Sequence, residues 1–258
     1  MTTSRTGIGL SFLVLLIFST VASAQQHTKP ADDHVTITRR TIAIVRTGEI
    51  AKAFPHRLKA TVSYPVISGL RNPEILRKVL AILEFKNIFD TTLDEYRESA
   101  WLEEFDYAVN YNQKYILDLT FREEGTAVFP DRHYRHFTID LRRGDVVKGA
   151  EVFAADKMDE LAGLVNATLQ QELKSLWPVI LDLGRITEKN LRDLHDALKF
   201  EVENLNDFEV TSNGIVFLYD AGFPHILRAV EPKGRYRFSY TQLKPYLKPD
   251  GVLWQFVG

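Results

Sequence analysis

The only long apolar stretch of the sequence lies at its start and divides the chain into a part that folds and a part that does not. An uncharged run from Gly7 to Val21, rich in Leu, Ile, Phe and Val, follows Arg5 and precedes Ala22-Ser23-Ala24. A basic start, an apolar centre and a small-x-small end are typical of a secretory signal peptide. We therefore predict a signal peptide over residues 1–24, cleaved after Ala24, and expect a periplasmic or secreted protein.

A retained membrane anchor is the alternative, because Gly7 to Ala24 approaches the roughly 20 residues that span a bilayer. The strongly apolar centre, Phe12 to Phe18, is shorter than that, and the small residues before Gln25 suit a signal peptidase. Both details favour cleavage. No second stretch is long and apolar enough to cross a bilayer, so we predict no membrane span after the signal peptide is removed.

The composition limits what the folded part can do. The chain has no cysteine, so the fold must be held by core burial alone, and thiolate catalysis, iron–sulfur clusters and cysteine zinc sites are excluded. Its formal net charge of −2 becomes −3 once Arg5 is lost with the signal peptide. That near balance argues against nucleic acid and anionic bilayers as partners, because both require concentrated positive charge.

The remaining residues predict one domain after a short leader. Residues 25–33 are polar, contain Pro30 and lack periodic apolar positions, which indicates a flexible leader. Residues 34–258 carry both strand and helix patterns. We predict a single α+β domain, with antiparallel sheets and packed helices in two strand-and-helix halves of about 34–150 and 151–258.

Alternation of apolar and polar residues locates the strands of both halves. The predicted strands cover residues 35–45, 58–67, 105–111, 115–121, 133–141, 208–211, 215–219 and 236–238. Apolar spacings of three and four predict helices that begin at Asn72, Met158 and Thr187, and Pro178 is expected beyond the end of the second one at Leu176. Asn112-Gln113-Lys114 and Ser212-Asn213-Gly214 are predicted hairpin turns. A short last helix is expected over 240–247.

Three stretches carry a resemblance to a known family. They are Tyr64–Asn72, Phe137–Asp145, and Phe208–Phe217 followed by Phe238–Leu247. In order and spacing they resemble the extracytoplasmic domain of RsiV-type anti-sigma factors, a domain also found beside some peptidoglycan deacetylases. The resemblance extends from about Ile42 to Leu247. It implies an α+β fold of two strand-and-helix halves without a catalytic apparatus.

The resemblance also implies a ligand. The anti-sigma members bind lysozyme outside the cell through loops that include an Ala-Pro-Tyr element, and this sequence has Phe223-Pro224-His225 at that position. Where the family often has Gly-Ala-His after the central strand, this sequence has Thr126-Ala127-Val128-Phe129-Pro130. Both departures lie in loops, so the choice of ligand is expected to differ.

The common catalytic motifs are missing. The sequence has no Gly-x-Ser-x-Gly elbow, no Walker phosphate loop, no Gly-x-Gly-x-x-Gly loop and no His-Glu-x-x-His helix. The nearest approach to a metal site is Asp131–His136, but His133 and His136 would point to opposite faces of a strand. We therefore predict no metal and no cofactor.

Two loops with exposed aromatic and arginine residues are the candidate binding site, since these residue types anchor interfaces. The loop from Thr126 to His136 contributes Phe129, Arg132, Tyr134 and Arg135, and the loop from Tyr219 to Arg228 contributes Tyr219, Phe223, Pro224, His225 and Arg228. The alternative is that Phe129 and Phe223 pack inward beneath their loops.

These features favour a non-enzymatic binding domain for a protein or a cell-wall component, with lysozyme-type enzymes as the partner that the resemblance indicates. A hydrolase acting on envelope glycans or esters, with a site built from His133, His136 and nearby acids, is the alternative function. A lipid-surface protein or an envelope structural protein is a third possibility.

Overall fold

The computed structural model describes residues 33–182, 184, 186–223 and 225–257. The predicted signal peptide, all but the last residue of the predicted leader, and Pro224 lie outside these residues. The described residues belong to a single unit of mutually contacting elements. None of the helices within these residues combines the length and the apolar character needed to cross a membrane.

A six-stranded sheet, in the order β1-β2-β3-β4-β5-β6, forms the first half of the described chain. Three helices lie between β2 and β3 along the sequence. The elements are β1 (Thr36–Val45), α1 (Gly48–Ala53), β2 (Lys59–Ser68), α2 (Pro73–Ile82), α3 (Phe85–Phe89), α4 (Leu93–Glu98), β3 (Leu102–Gln113), β4 (Ile116–Thr126), β5 (Pro130–Asp140) and β6 (Asp145–Val146).

The second half combines a long helix with a three-stranded antiparallel sheet, in the order β7-β8-β9. Short 3-10 turns cover Ala155–Lys157, Val202–Asn206, His225–Val230 and Trp254–Phe256. The other elements are α5 (Gly149–Val152), α6 (Met158–Asp182), α7 (Glu188–Ala197), β7 (Phe208–Val210), β8 (Gly214–Leu218), β9 (Arg235–Ser239) and α8 (Tyr240–Leu243).

The α+β class is confirmed, and every predicted strand has a counterpart. The larger sheet is mixed rather than wholly antiparallel, because β2 and β3 run parallel, with Thr61 opposite Glu104 and Val62 opposite Phe105. A parallel neighbour needs a long crossover, and α2, α3 and α4 supply it. The predicted start of α2 is confirmed, since the Asn72 side chain accepts from the N–H groups of Glu74 and Ile75.

Each sheet has its own hydrophobic core. Val79, Ile88 and Tyr96 from the crossover helices pack on Phe105 and Phe121 of the larger sheet. The apolar stripe predicted for α6 is buried against the smaller sheet, with Leu161, Val165, Leu169 and Leu173 facing Val210, Phe217 and Phe238. The two cores explain how a chain without disulfides holds both halves.

Three local predictions are wrong. The helix expected to end before Pro178 runs on to Asp182, since losing one backbone hydrogen bond is offset by burial of Ile180 beyond the proline. The first hairpin turns at Lys114 and Tyr115, both with positive φ, instead of at residues 112–114. The last helix ends at Leu243, and Leu247 instead forms a bridge with Phe153.

Candidate functional site

The connection between β4 and β5 is a hairpin tip of three residues. Thr126 pairs with Pro130, so residues 127–129 form the turn. Val128 is 84% exposed and Phe129 is 55% exposed, although both side chains are apolar. About half of Phe129 therefore faces solvent, so the residue is not buried beneath the hairpin tip.

Strand β5 replaces most of the loop that was predicted over Thr126–His136. Even-numbered residues of β5 share one face: Arg132 forms an ion pair with Glu124 and lies 3.4 Å from the Tyr134 hydroxyl, and the Tyr134 ring stacks on His136 at 6.4 Å. Arg135 is exposed but lies on the opposite face, beside His133. The structure therefore groups Arg132 with Tyr134 and separates Arg135 from them.

The two predicted segments meet at an ion pair. The Arg228 guanidinium donates to the Asp131 carboxylate, 97 residues away in the sequence. Arg228 belongs to the 3-10 turn His225–Val230, so this contact brings the second segment to the edge of β5 near the hairpin tip. Asp131 is an odd-numbered residue that contacts His133, so Arg228 reaches the hairpin tip from the side of β5 opposite to Arg132 and Tyr134. We call the residues around the hairpin tip on both sides of β5, namely Val128, Phe129, Arg132, Tyr134 and Arg228, the tip surface.

Other predicted binding residues do not reach the tip surface. Phe223 is only 3% exposed and belongs to the second core, so its prediction as a surface anchor is wrong. Tyr219 packs toward Phe200, with 6.0 Å between ring centroids, and burial raises its pKa. His225 begins the 3-10 turn, and Pro224 precedes it outside the described residues.

The two histidines of the Asp131–His136 stretch face opposite sides of β5, as the alternation predicts. His133 Nδ1 lies 2.9 Å from Glu123, whereas His136 Nδ1 lies 3.0 Å from the Thr120 hydroxyl and 3.4 Å from Glu209. Over the residues that the structure describes, no group of three His, Asp or Glu side chains is arranged to hold a metal ion. The structure therefore does not bring the two imidazoles together on one face of β5.

A cleft opens beside the tip surface, between α4 and the end of the larger sheet. Its volume is about 350 Å³, within the range of small-ligand sites. The lining residues come from α4 and the residues on either side of it, and from strands β4 and β5. They are Thr91, Glu95, Tyr96, Ser99, Trp101, Glu123 and His133. We call it the Glu123 cleft.

Glu123 is the polar centre of this cleft and is 7% exposed. It accepts from the Tyr96 hydroxyl through Oε2 and contacts His133 Nδ1 through Oε1. Burial, this hydrogen bond and the neighbouring carboxylates raise the pKa of Tyr96, so the phenol keeps its proton. The imidazole of His133 stacks on the Trp101 indole at 5.4 Å and 15°, which fixes its orientation.

A second polar cluster joins the two sheets. Asp118, fully buried on β4, accepts from the Thr138 hydroxyl at 2.5 Å, the Val210 N–H at 2.9 Å and the Asn110 amide at 2.7 Å. Glu209 on β7 accepts from both guanidinium nitrogens of Arg235 and from Thr120. Burial raises the pKa of Asp118 to about 7 and lowers that of His136. We call these side chains the inter-sheet network.

Several residues that complete the site were not predicted from the sequence to belong to it. Val128 was noted only for its departure from the family pattern, and Asp131 only as a candidate metal ligand. Glu95, Tyr96, Trp101 and Glu123 come from two distant segments, and the acidic residues before Trp101 resemble an ordinary solvated surface. A Glu inside the apolar pattern of β4 was the one available signal.

Comparison with known proteins places the fold. No protein-family model and no curated protein matches the chain. Two solved structures are similar. One is a DUF3298 family member from Bacteroides fragilis NCTC 9343, with a TM-score of 0.54 and 12% sequence identity, and the match covers 87% of this chain and 98% of that one. The other is a DUF3298 family protein from Pseudomonas aeruginosa PAO1, with a TM-score of 0.52 and 14% sequence identity, and the match covers 84% of this chain and 96% of that one. The chain thus shares the α+β fold of DUF3298 proteins.

Proposed function

We propose that this protein is an exported, non-enzymatic binding domain that holds a protein or cell-wall ligand at the tip surface. The observation that carries the proposal is the ion pair between Asp131 and Arg228, which places two distant segments side by side. Next to that pair, the apolar residues Val128 and Phe129 are both more than half exposed. Adjacent exposed apolar residues beside arginines and a tyrosine have the composition of interface anchors.

The signal-peptide pattern of residues 1–24 supports a location in the periplasm or outside the cell. The resemblance to RsiV-type domains adds a candidate partner, an enzyme of the lysozyme type. Because Phe223 is buried at the position of the family's Ala-Pro-Tyr element, contact in this chain would depend on the hairpin tip. In this proposal the tip surface contacts the ligand, which is the role of the loop with the Ala-Pro-Tyr element in the family.

A hydrolase is the second candidate, and one observation favours it. The contact between His133 and the buried Glu123 is the arrangement of a general base and the group that orients it. Ser99 lines the same cleft. If this candidate is correct, His133→Ala abolishes hydrolysis of an envelope ester or glycan, whereas His136→Ala leaves it unchanged.

Calorimetry with the purified protein tests the binding proposal. We expect heat on titration with a lysozyme-type enzyme at a salt concentration above 0.15 M, where the Debye length is below about 8 Å and exposed charges are screened. The double variant Val128→Ser, Phe129→Ser is expected to bind at least tenfold more weakly, because truncating one central anchor costs about 2 kcal/mol or more.

Leu164→Ser is the matched control, since Leu164 is an exposed apolar residue on α6. It is expected to bind like the original protein. Absence of heat and of a complex with the original protein removes lysozyme-type enzymes as partners, and soluble peptidoglycan fragments are then titrated in the same way. Equal binding by the double variant and the original protein contradicts the role of the hairpin tip.

A further inference from the structure

The residues that line the Glu123 cleft give it a negative charge. Its lining contains the carboxylates of Glu95 and Glu123, and neither lysine nor arginine is among the described lining residues. Both side chains line the same cleft, and Glu123 also accepts from the Tyr96 hydroxyl. A partly enclosed cleft with charge of one sign concentrates that charge's field on a bound ligand.

Neither carboxylate is neutralised by a permanent cation within the cleft. Glu123 contacts the neutral Tyr96 hydroxyl and the His133 ring, which is a cation only when it is protonated. Glu95 accepts from the Thr92 N–H at 2.6 Å and the Thr92 hydroxyl at 2.8 Å, and these bonds lower its pKa. Glu95 therefore stays ionised to lower pH than an ordinary glutamate.

The aromatic wall formed by Trp101 is partly occupied by neighbouring residues. A sugar site commonly offers an open indole face, but here His133 stacks on one side of Trp101. The backbone of Gly125 lies against the indole as well, since a Cβ built there would be 2.7 Å from two ring carbons. The cleft offers the carboxylate oxygens of Glu95 and Glu123 beside its aromatic side chains.

We propose that the Glu123 cleft binds an ammonium or guanidinium group, with Glu123 and Glu95 accepting its hydrogen bonds. A carboxylate with four lone-pair positions accepts further donors after Tyr96 and His133 are counted. Charge-assisted bonds from such a cation are stronger than those between neutral groups. The group belongs either to a lysine or arginine side chain of a protein partner or to a free amine, and the proposal does not depend on the tip surface.

Nuclear magnetic resonance of the indole N–H of Trp101 tests the proposal directly. N-acetyl-arginine amide and N-acetyl-lysine amide are titrated at constant ionic strength, with N-acetyl-norleucine amide as the neutral probe and chitotriose as the sugar probe. We expect saturable shifts of the Trp101 signal with the two cationic probes and none with the other two. Saturation by chitotriose and not by the cations overturns the proposal, and so does equal binding of the norleucine amide.

Two variants decide whether the carboxylates bind the cation. Glu95→Gln removes a charge yet retains the capping function of residue 95 on α4, so the helix is expected to remain intact. Glu98→Gln makes the same charge change on α4 outside the cleft. We expect at least tenfold weaker binding of the arginine probe by Glu95→Gln, a larger loss by Glu123→Gln, and no change by Glu98→Gln. Equal effects of Glu95→Gln and Glu98→Gln overturn the proposal.

The source of the cation is decided by repeating the calorimetry of the binding proposal with Glu95→Gln. Weaker binding of the protein partner assigns the cleft to a side chain of that partner. An unchanged complex, together with the loss of probe binding, assigns the cleft to a free amine. Failure of all cationic probes overturns the cation site alone, because the hairpin-tip variants test the proposed function separately.

Discussion

Gly125 and Trp101 are in contact where β4 leaves the first core. The N–H of Thr126 donates to the Trp101 carbonyl at 2.9 Å, so the two segments are held together by backbone. A Cβ on residue 125 would lie 2.7 Å from two indole carbons and closer still to that carbonyl oxygen. The position of a Cβ is fixed by the backbone, so no side-chain rotation removes its overlap with the Trp101 carbonyl oxygen. Residue 125 therefore requires glycine.

We predict that Gly125→Ala lowers the free energy of unfolding by about 1–3 kcal/mol, the usual cost of overpacking. Urea denaturation measures it. Gly163→Ala is the control, because Gly163 lies within α6 with open space around it, and alanine there is expected to add about 0.5–1 kcal/mol. A neutral Gly125→Ala variant would show that Trp101 moves readily and that the wall of the Glu123 cleft is not fixed.

Predictions about single residues were confirmed where residues adjacent in the sequence determine the local structure. Asn72 was predicted as a helix cap from its position before Pro73, and its side chain does cap α2. Phe129 and Phe223 have the same side chain in similar loops, yet one is exposed and the other is buried. That difference depends on which tertiary surface lies beneath each loop, which local patterns do not report.

Helix α2 supports a prediction at the level of the element. The Asn72 side chain accepts from the N–H of Glu74 at 3.0 Å and of Ile75 at 3.3 Å. Asn72→Ala leaves both donors without this acceptor, and we expect a loss of about 1 kcal/mol in the free energy of unfolding. Asn72→Ser retains an acceptor and is expected to lose much less. Equal losses in thermal or urea unfolding would mean that the cap is not the cause.

Strand β5 shows why elements with clear apolar alternation were found and others were not. The strand was predicted over residues 133–141, and the buried residues of β5 are Thr138, Ile139 and Asp140. The first part of β5, Asp131 to His136, extends past the core and exposes polar side chains on both faces. Without a buried face a strand has no alternation. The candidate binding loop was therefore drawn over Thr126–His136, overlapping the predicted strand at residues 133–136, even though this part pairs with β4 along its whole length.

The molecule as a whole depends on the inter-sheet network. Asp118 and Thr120 of β4 reach Val210 and Glu209 of β7, so the two sheets are joined by hydrogen bonds between buried groups. No buried side-chain nitrogen or oxygen lacks a partner among the described residues. Such satisfied networks fix one relative arrangement of two cores that apolar packing alone would specify less strictly. The sequence predicted two halves, but the contacts between them required the structure.

Asp118 makes the joining of the sheets dependent on pH. Burial raises its folded-state pKa to about 7 from 3.8, so the folded state holds a proton that the unfolded state releases near pH 4. The native state therefore binds more protons between about pH 4 and 7, and Asp118 lowers stability as pH rises through that window. The slope is limited to about 1.4 kcal/mol per pH unit for one proton.

Comparing the original protein with Asp118→Asn isolates this contribution. His136 acts in the opposite direction, because its lowered pKa reduces stability as pH falls below about 6.5, but it is present in both proteins. We expect urea unfolding at several pH values between 4.5 and 7.5 to show that the advantage of the original protein over Asp118→Asn shrinks as pH rises. If the stability of the two proteins instead changed with pH in parallel, the pKa of Asp118 would have its ordinary value in the folded state. The three donors Thr138, Val210 and Asn110 would then fully compensate the burial of the carboxylate.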